Sequence, residues 1–172
     1  MLGLVGHSWG KRIVSEIDSA LNKWVDTIPD HRAPFNPFLY SCPSLIALSV
    51  QWNPHQENPL FFNQSALLNS VYYLVQIYAH RPFILSQNAT SPLSSPSLCI
   101  CTAAARASSH IMDIRIGKGD MWPLMTTCAF SSGIVLLLNI WGVKKVGVRA
   151  NPALHMQDVF KCMRYLEAYA NR

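Results

Sequence analysis

The chain has 172 residues, half of them hydrophobic and only 13% charged, with a formal net charge of +5. That length suits one domain with a buried core, and the charged fraction lies well below the roughly 25% of soluble domains. The positive balance comes from having only nine acids, and the Lys and Arg residues are scattered, densest at Lys144, Lys145 and Arg149. A nucleic-acid surface needs a tighter basic stripe, so direct DNA contact by this segment is not expected.

Met1–Gly10 opens on apolar residues but has neither a basic start nor a sustained apolar stretch, so no signal peptide is expected. Ile13, Ile17, Leu21 and Trp24, joined by Val14 and Val25, recur at helical spacing. They predict an amphipathic helix over about Lys11–Ile28, closed by Pro29, with Lys11, Glu16, Asp18 and Lys23 outermost. Ala33–Gln51 is foreign in composition: three prolines, no charge and no periodicity. It is expected to be a poorly ordered loop, or a strap on an apolar surface. Trp52-Asn53-Pro54 and Asn58-Pro59 read as turns.

Asn63 is placed as the cap of a second helix over about Gln64–His80, with Leu67, Val71, Leu74 and Tyr78 as its stripe. Leu68, Tyr72 and Val75 widen that stripe. Pro82 disfavours helical geometry at Arg81, which predicts the helix end there. Ser86–Ser95 reads as a loop, and Ser95-Pro96 as the cap and first residue of a third helix reaching Ile116. Its small residues, Ala103–Ala105, Ser108 and Ser109, allow close packing before the stop at Gly117-Lys118-Gly119.

Met121–Val143 runs 23 residues without a formal charge, long enough for a membrane span. Pro123, Thr126, Thr127, Ser131, Ser132, Gly133 and Asn139 dilute it. The preferred reading is a central helix buried on all sides. Asn151-Pro152 opens the last helix, with Val159, Phe160, Met163, Leu166 and Tyr169 on its apolar side and Asp158, Lys161 and Arg164 toward water. The sum is an all-α fold, an irregular multi-helix bundle of about five helices.

Catalytic and metal chemistry find little footing. The five cysteines, Cys42, Cys99, Cys101, Cys128 and Cys162, form no disulfide framework and no Cys-x-x-Cys pair. Buried reduced thiols are expected, with Cys99 and Cys101 facing different sides of a helix. Gly6-His7-Ser8-Trp9-Gly10 matches the form of a nucleophile elbow, but that turn needs a preceding strand. Ser8 is better placed as a helix cap. The six histidines, His7, His31, His55, His80, His110 and His155, sit in no sequence context that marks a triad. Gly117-Lys118-Gly119 is too short for a phosphate loop. The expectation is no enzyme and no cofactor. For Arg81, two structural roles remain open: a cation meeting the free carbonyls of a helix end, or one pairing with a carboxylate across the bundle.

Four segments carry a resemblance: IVSEIDSALNKWVDTIPDH (Ile13–His31), WNPHQENPLFFNQSALLNSVYYLVQIYAHRPFI (Trp52–Ile84), SGIVLLLNIWG (Ser132–Gly142) and NPALHMQDVFKCMRYLEAY (Asn151–Tyr169). In this order and spacing the chain resembles the middle homology region of fungal zinc binuclear-cluster transcription factors. The resemblance marks His80, Arg81, Pro82 and Trp141 as structural positions of that region. It implies a helical regulatory domain of a nuclear RNA polymerase II transcription factor, with 1–172 a fragment truncated at both ends. Partners would be the transcription machinery or a second copy, with a small-molecule effector also compatible and no membrane involved. In that family an N-terminal cluster of six cysteines holds zinc and contacts DNA. No residue here corresponds to it, so zinc and DNA belong only to the intact family. Ala33–Gln51 interrupts the resemblance and is read as an insertion, translated from a retained intron or a gene-model error.

Overall fold

The computed structural model describes residues 2–27, 54–55, 57–84, 96–118, 121–146 and 152–172. Among these it is all-α, with no strand. Five helices are described: α1 (Leu2–Asp26), α2 (Pro59–Ile84), α3 (Pro96–Lys118), α4 (Pro123–Val146) and α5 (Pro152–Ala170). The chain divides into two units, Met1–Asn53 and Pro54–Arg172, so α1 stands in one and the other four helices form the second. Ala33–Gln51 lies outside the described residues.

Proline sets most of the helix starts. Pro59, Pro96, Pro123 and Pro152 each occupy the first helical position, where a missing N–H costs nothing and the fixed φ already suits a helix. Pro96 and Pro152 were expected there. The start of α2 was not: Asn58-Pro59 is its cap and first residue rather than a separate turn. The Asn58 Oδ1 accepts the Leu60 N–H at 3.0 Å, and the Asn58 carbonyl accepts the Phe62 N–H at 2.9 Å. Asn63 therefore lies one turn inside α2 and serves another purpose. Helix α1 likewise starts earlier than Lys11, because no proline interrupts the chain before Pro29. Ser8 falls within α1, so it is neither a cap nor an elbow residue.

The end of α2 also corrects the expectation. The helix runs through Pro82 to Ile84. Pro82 deprives the Tyr78 carbonyl of its donor, a cost of about 3 kcal/mol in a helix interior. Here the helix closes two residues later, and Ile84 is buried. Burying an isoleucine contributes about 1.5–3 kcal/mol, enough to offset most of the loss.

Three contacts show that α2 and α3 run antiparallel. Arg115 of α3 meets Asn63, the Cys101 thiol donates to the Ile77 carbonyl, and His80 meets Ser97. Buried Cys101, Ala104, Ala105, Ser108 and Ser109 bring α3 close to its neighbours. Helix α5 runs parallel to α3, since Arg106 pairs with Asp158 and Asp113 with Arg164 in the same order. Helix α4 touches α2, α3 and α5, and α3 touches α2, α4 and α5. The second unit is thus an up-down-up-down arrangement with α3 and α4 as the inner pair and α2 and α5 flanking.

Three inward faces differ from the expected ones. Helix α2 buries Tyr72 and Leu74 as expected, but the buried face also takes in Phe62, Ala66, Tyr73, Ile77 and Ile84 with polar Asn69, Gln76 and His80, while Val75 and Tyr78 are exposed. Helix α5 points Val159, Cys162 and Tyr165 inward and leaves Phe160 and Met163 outside. Helix α4 is not buried on all sides. Met125, Cys128, Ala129, Ser132, Val135, Leu136 and Asn139 face the core, whereas Phe130, Ile134, Leu137 and Trp141 face solvent. Spacings of four, three and four put these last residues on one stripe.

Candidate functional site: the groove between two parallel helices

The last two turns of α2 lie alongside the middle of α4, and the two helices run in the same direction, since the Cys128 thiol donates to the Ser70 carbonyl and Ser131 meets Tyr78 one to two turns further along. Between them lies a groove of about 670 Å³. Its walls are Ile77 and Ile84 from α2 and Phe130, Ile134, Val135 and Leu138 from α4. Tyr78, Thr127 and Ser131 add hydroxyl groups, and Arg81 and Pro82 stand at the α2 side. Among the described lining residues Arg81 carries the only charge.

Local sequence explains this placement. Tyr78 and Arg81 are three apart on α2, and Phe130, Ile134 and Leu138 are four apart on α4, so each set shares a face. The Tyr78 Oη and Ser131 Oγ stand 3.5 Å apart, long for a hydroxyl–hydroxyl hydrogen bond. Both hydroxyls therefore keep capacity for another partner. Arg81 is exposed and takes part in none of the ion pairs among the described residues. Its position near the end of α2 matches the helix-dipole role rather than an ion pair across the bundle.

The four marked positions separate. Arg81 and Pro82 line the groove. His80 points the other way: it is buried, and its Nδ1 lies 3.2 Å from the Ser97 Oγ on α3. Trp141 extends the exposed stripe of α4 beyond the groove and is 58% exposed. Tyr78, Phe130, Ser131, Ile134, Val135 and Leu138 were missed as site residues. The spacing of Phe130, Ile134, Leu137 and Trp141 was visible, but a run that is apolar on every side conceals which face turns outward.

Burial holds two thiols and two phenols in their protonated forms. Burial pushes the Cys128 thiol up to about 11 and Cys162 up to about 12, with the Asp158 carboxylate adding to the effect on Cys162. Burial also raises Tyr73 far above the ordinary phenol range, with Tyr72 contributing, and raises Tyr165, whose Oη accepts the Trp122 N–H at 3.2 Å. A nucleophilic cysteine requires a lowered pKa, the reverse of what burial does here. Cys101 is buried and Cys99 exposed, on opposite sides of α3. Among the described residues no three His, Cys, Asp or Glu side chains gather as metal ligands. Several buried polar atoms have no hydrogen-bond partner, among them Ser70 Oγ, Gln76 Oε1, Ser108 Oγ and Ser132 Oγ.

No family model, no characterised protein and no solved structure matches this chain.

Proposed function

We propose that this chain is a helical interaction and regulatory domain, of the kind that the middle region of fungal zinc-cluster transcription factors provides. The observation that carries the reading is the outward apolar stripe of α4, Phe130, Ile134, Leu137 and Trp141, continued across the groove by Val75 and Tyr78. Contiguous exposed apolar surface marks a contact face for a protein, a membrane or a ligand. On a helical body with buried polar residues beneath it, a protein partner is the reading we adopt. The order of the four resembling segments, Ile13–His31, Trp52–Ile84, Ser132–Gly142 and Asn151–Tyr169, supports the family assignment. Regulation would act by protein contact and by shifts in helix packing, with no covalent step. DNA recognition would reside in a six-cysteine module outside this chain.

The test is a reporter fusion in a fungal host, with the full chain placed between a heterologous DNA-binding module and an activation region. Reporter output should change several-fold, and Leu137→Glu with Trp141→Glu should restore it. Output indifferent to the inserted chain would sink the reading. Genomic sequence upstream of Met1 supplies a second check, since an in-frame six-cysteine cluster is expected there.

A second reading, a membrane anchor through α4, draws on one observation. Within Pro123–Gly142 an 18-residue window has a mean hydropathy of 1.6, and only 33% of that window is buried. Against it stands the inner face of α4, where Ser132 and Asn139 pack inside the four-helix body. Release of the protein from membranes by carbonate wash would exclude the anchor.

A further inference from the structure

We infer that the groove between α2 and α4 is a binding site for a free amphipathic monocarboxylate, an alkyl or aryl-alkyl chain ending in one carboxylate group. The inference deepens the regulatory reading by naming its effector class. It rests on that reading only for its consequence, because binding itself can be measured separately.

Size, polarity and charge converge on this class. Ligand clefts occupy about 300–1,000 Å³, are mostly apolar and place a few polar groups to fix orientation. The groove, at about 670 Å³, lies within that range. Ile77, Ile84, Phe130, Ile134, Val135 and Leu138 suit an apolar chain, and Arg81 complements one anionic head. A guanidinium presents donors in a planar fork that matches a carboxylate. The hydroxyls of Tyr78 and Ser131, 3.5 Å apart, are weakly engaged with each other and available to a ligand oxygen. The end of α2 carries roughly half a negative charge, which opposes an anion. The full positive charge of Arg81 exceeds it, so the α2 side of the groove remains net positive. A neutral chain would find no use for Arg81. A dicarboxylate or phosphate would meet only one cation among the described lining residues, beside much apolar wall.

Calorimetric titration of the full chain with dodecanoate below its micelle concentration tests the site. Saturable binding is expected, with affinity at least tenfold weaker for dodecanol and for the Arg81→Gln variant. Arg81→Lys should recover part of the loss, which an effect on packing alone would not do. Far-ultraviolet circular dichroism of each variant confirms that its helices are retained. Equal affinity for dodecanol, unchanged affinity in Arg81→Gln, or binding only to phosphatidylcholine vesicles would each overturn the inference. Failure of the reporter fusion alongside intact dodecanoate binding would count against the transcriptional reading alone.

Discussion

The Arg115 guanidinium donates from Nη1 to the Asn63 Oδ1 at 2.6 Å, joining α3 to α2 across the bundle. Arg115 is 1% exposed and lies over the rings of Phe62 and Trp122, at 5.8 and 5.6 Å. A cation in that setting depends on its acceptor, because a hydrogen bond to a charged group contributes about 1.5–3 kcal/mol. Asn63→Ala should lower stability by that amount, read as a lower urea midpoint at unchanged slope. Asn63→Asp keeps an acceptor and should lose less. Equal loss in both variants would show that the side chain matters for packing instead.

The thiols should divide by burial. With Cys42 replaced by serine, Cys99 should react quickly with a disulfide reagent in the native state, while Cys101, Cys128 and Cys162 wait for unfolding. Two or more fast thiols in the folded protein would contradict the packing described for α3, α4 and α5.

Alkaline pH should weaken the fold. Cys128 rises from 9.0 to about 11 and Cys162 to about 12, so both remain protonated in the native state where the unfolded chain has ionised. The unfolded state then holds fewer protons, and stability falls as pH increases. The contribution is fully present below pH 9 and is lost from there toward the folded values, by up to about 1.4 kcal/mol per pH unit for each thiol. A denaturation midpoint constant from pH 8 to 10.5 would refute this.

Gly133 lies where α4 approaches α5. A Cβ built there would stand 3.7 Å from the Cys162 Cβ, an ordinary contact distance. Gly133→Ala should therefore be accommodated and should stabilise by about 0.5–1 kcal/mol through helix propensity. Gly133→Leu should destabilise by overfilling the same gap. Thermal denaturation of the two variants checks the opposite signs.

The outward stripe of α4 should govern association. Leu137→Glu with Trp141→Glu should change unfolding free energy by less than about 1 kcal/mol, because both side chains are exposed. Self-association, followed by sedimentation velocity against concentration, should decrease. If the double variant unfolds instead, the stripe belongs to the core.

Local sequence determined the all-α fold class and most of the helix punctuation. Helical spacing in Ile13–Val25, the Asn-Pro and Ser-Pro starts, and the small residues of α3 each act within a turn or two of chain. Pro59 and Pro123 carried the same starting signal and were passed over. Tertiary structure decided which faces turn inward. Helices α2 and α4 have apolar residues all round, so no contrast between faces was available to orient them. Val75 and Tyr78 lost to Tyr73, Ile77 and even polar Asn69 and His80, because that face meets the small residues of α3 and Arg115 at Asn63. The groove exists only once α2 and α4 lie parallel. Its partners, Tyr78 and Ser131, are 53 residues apart in the chain, a distance over which periodicity carries no information.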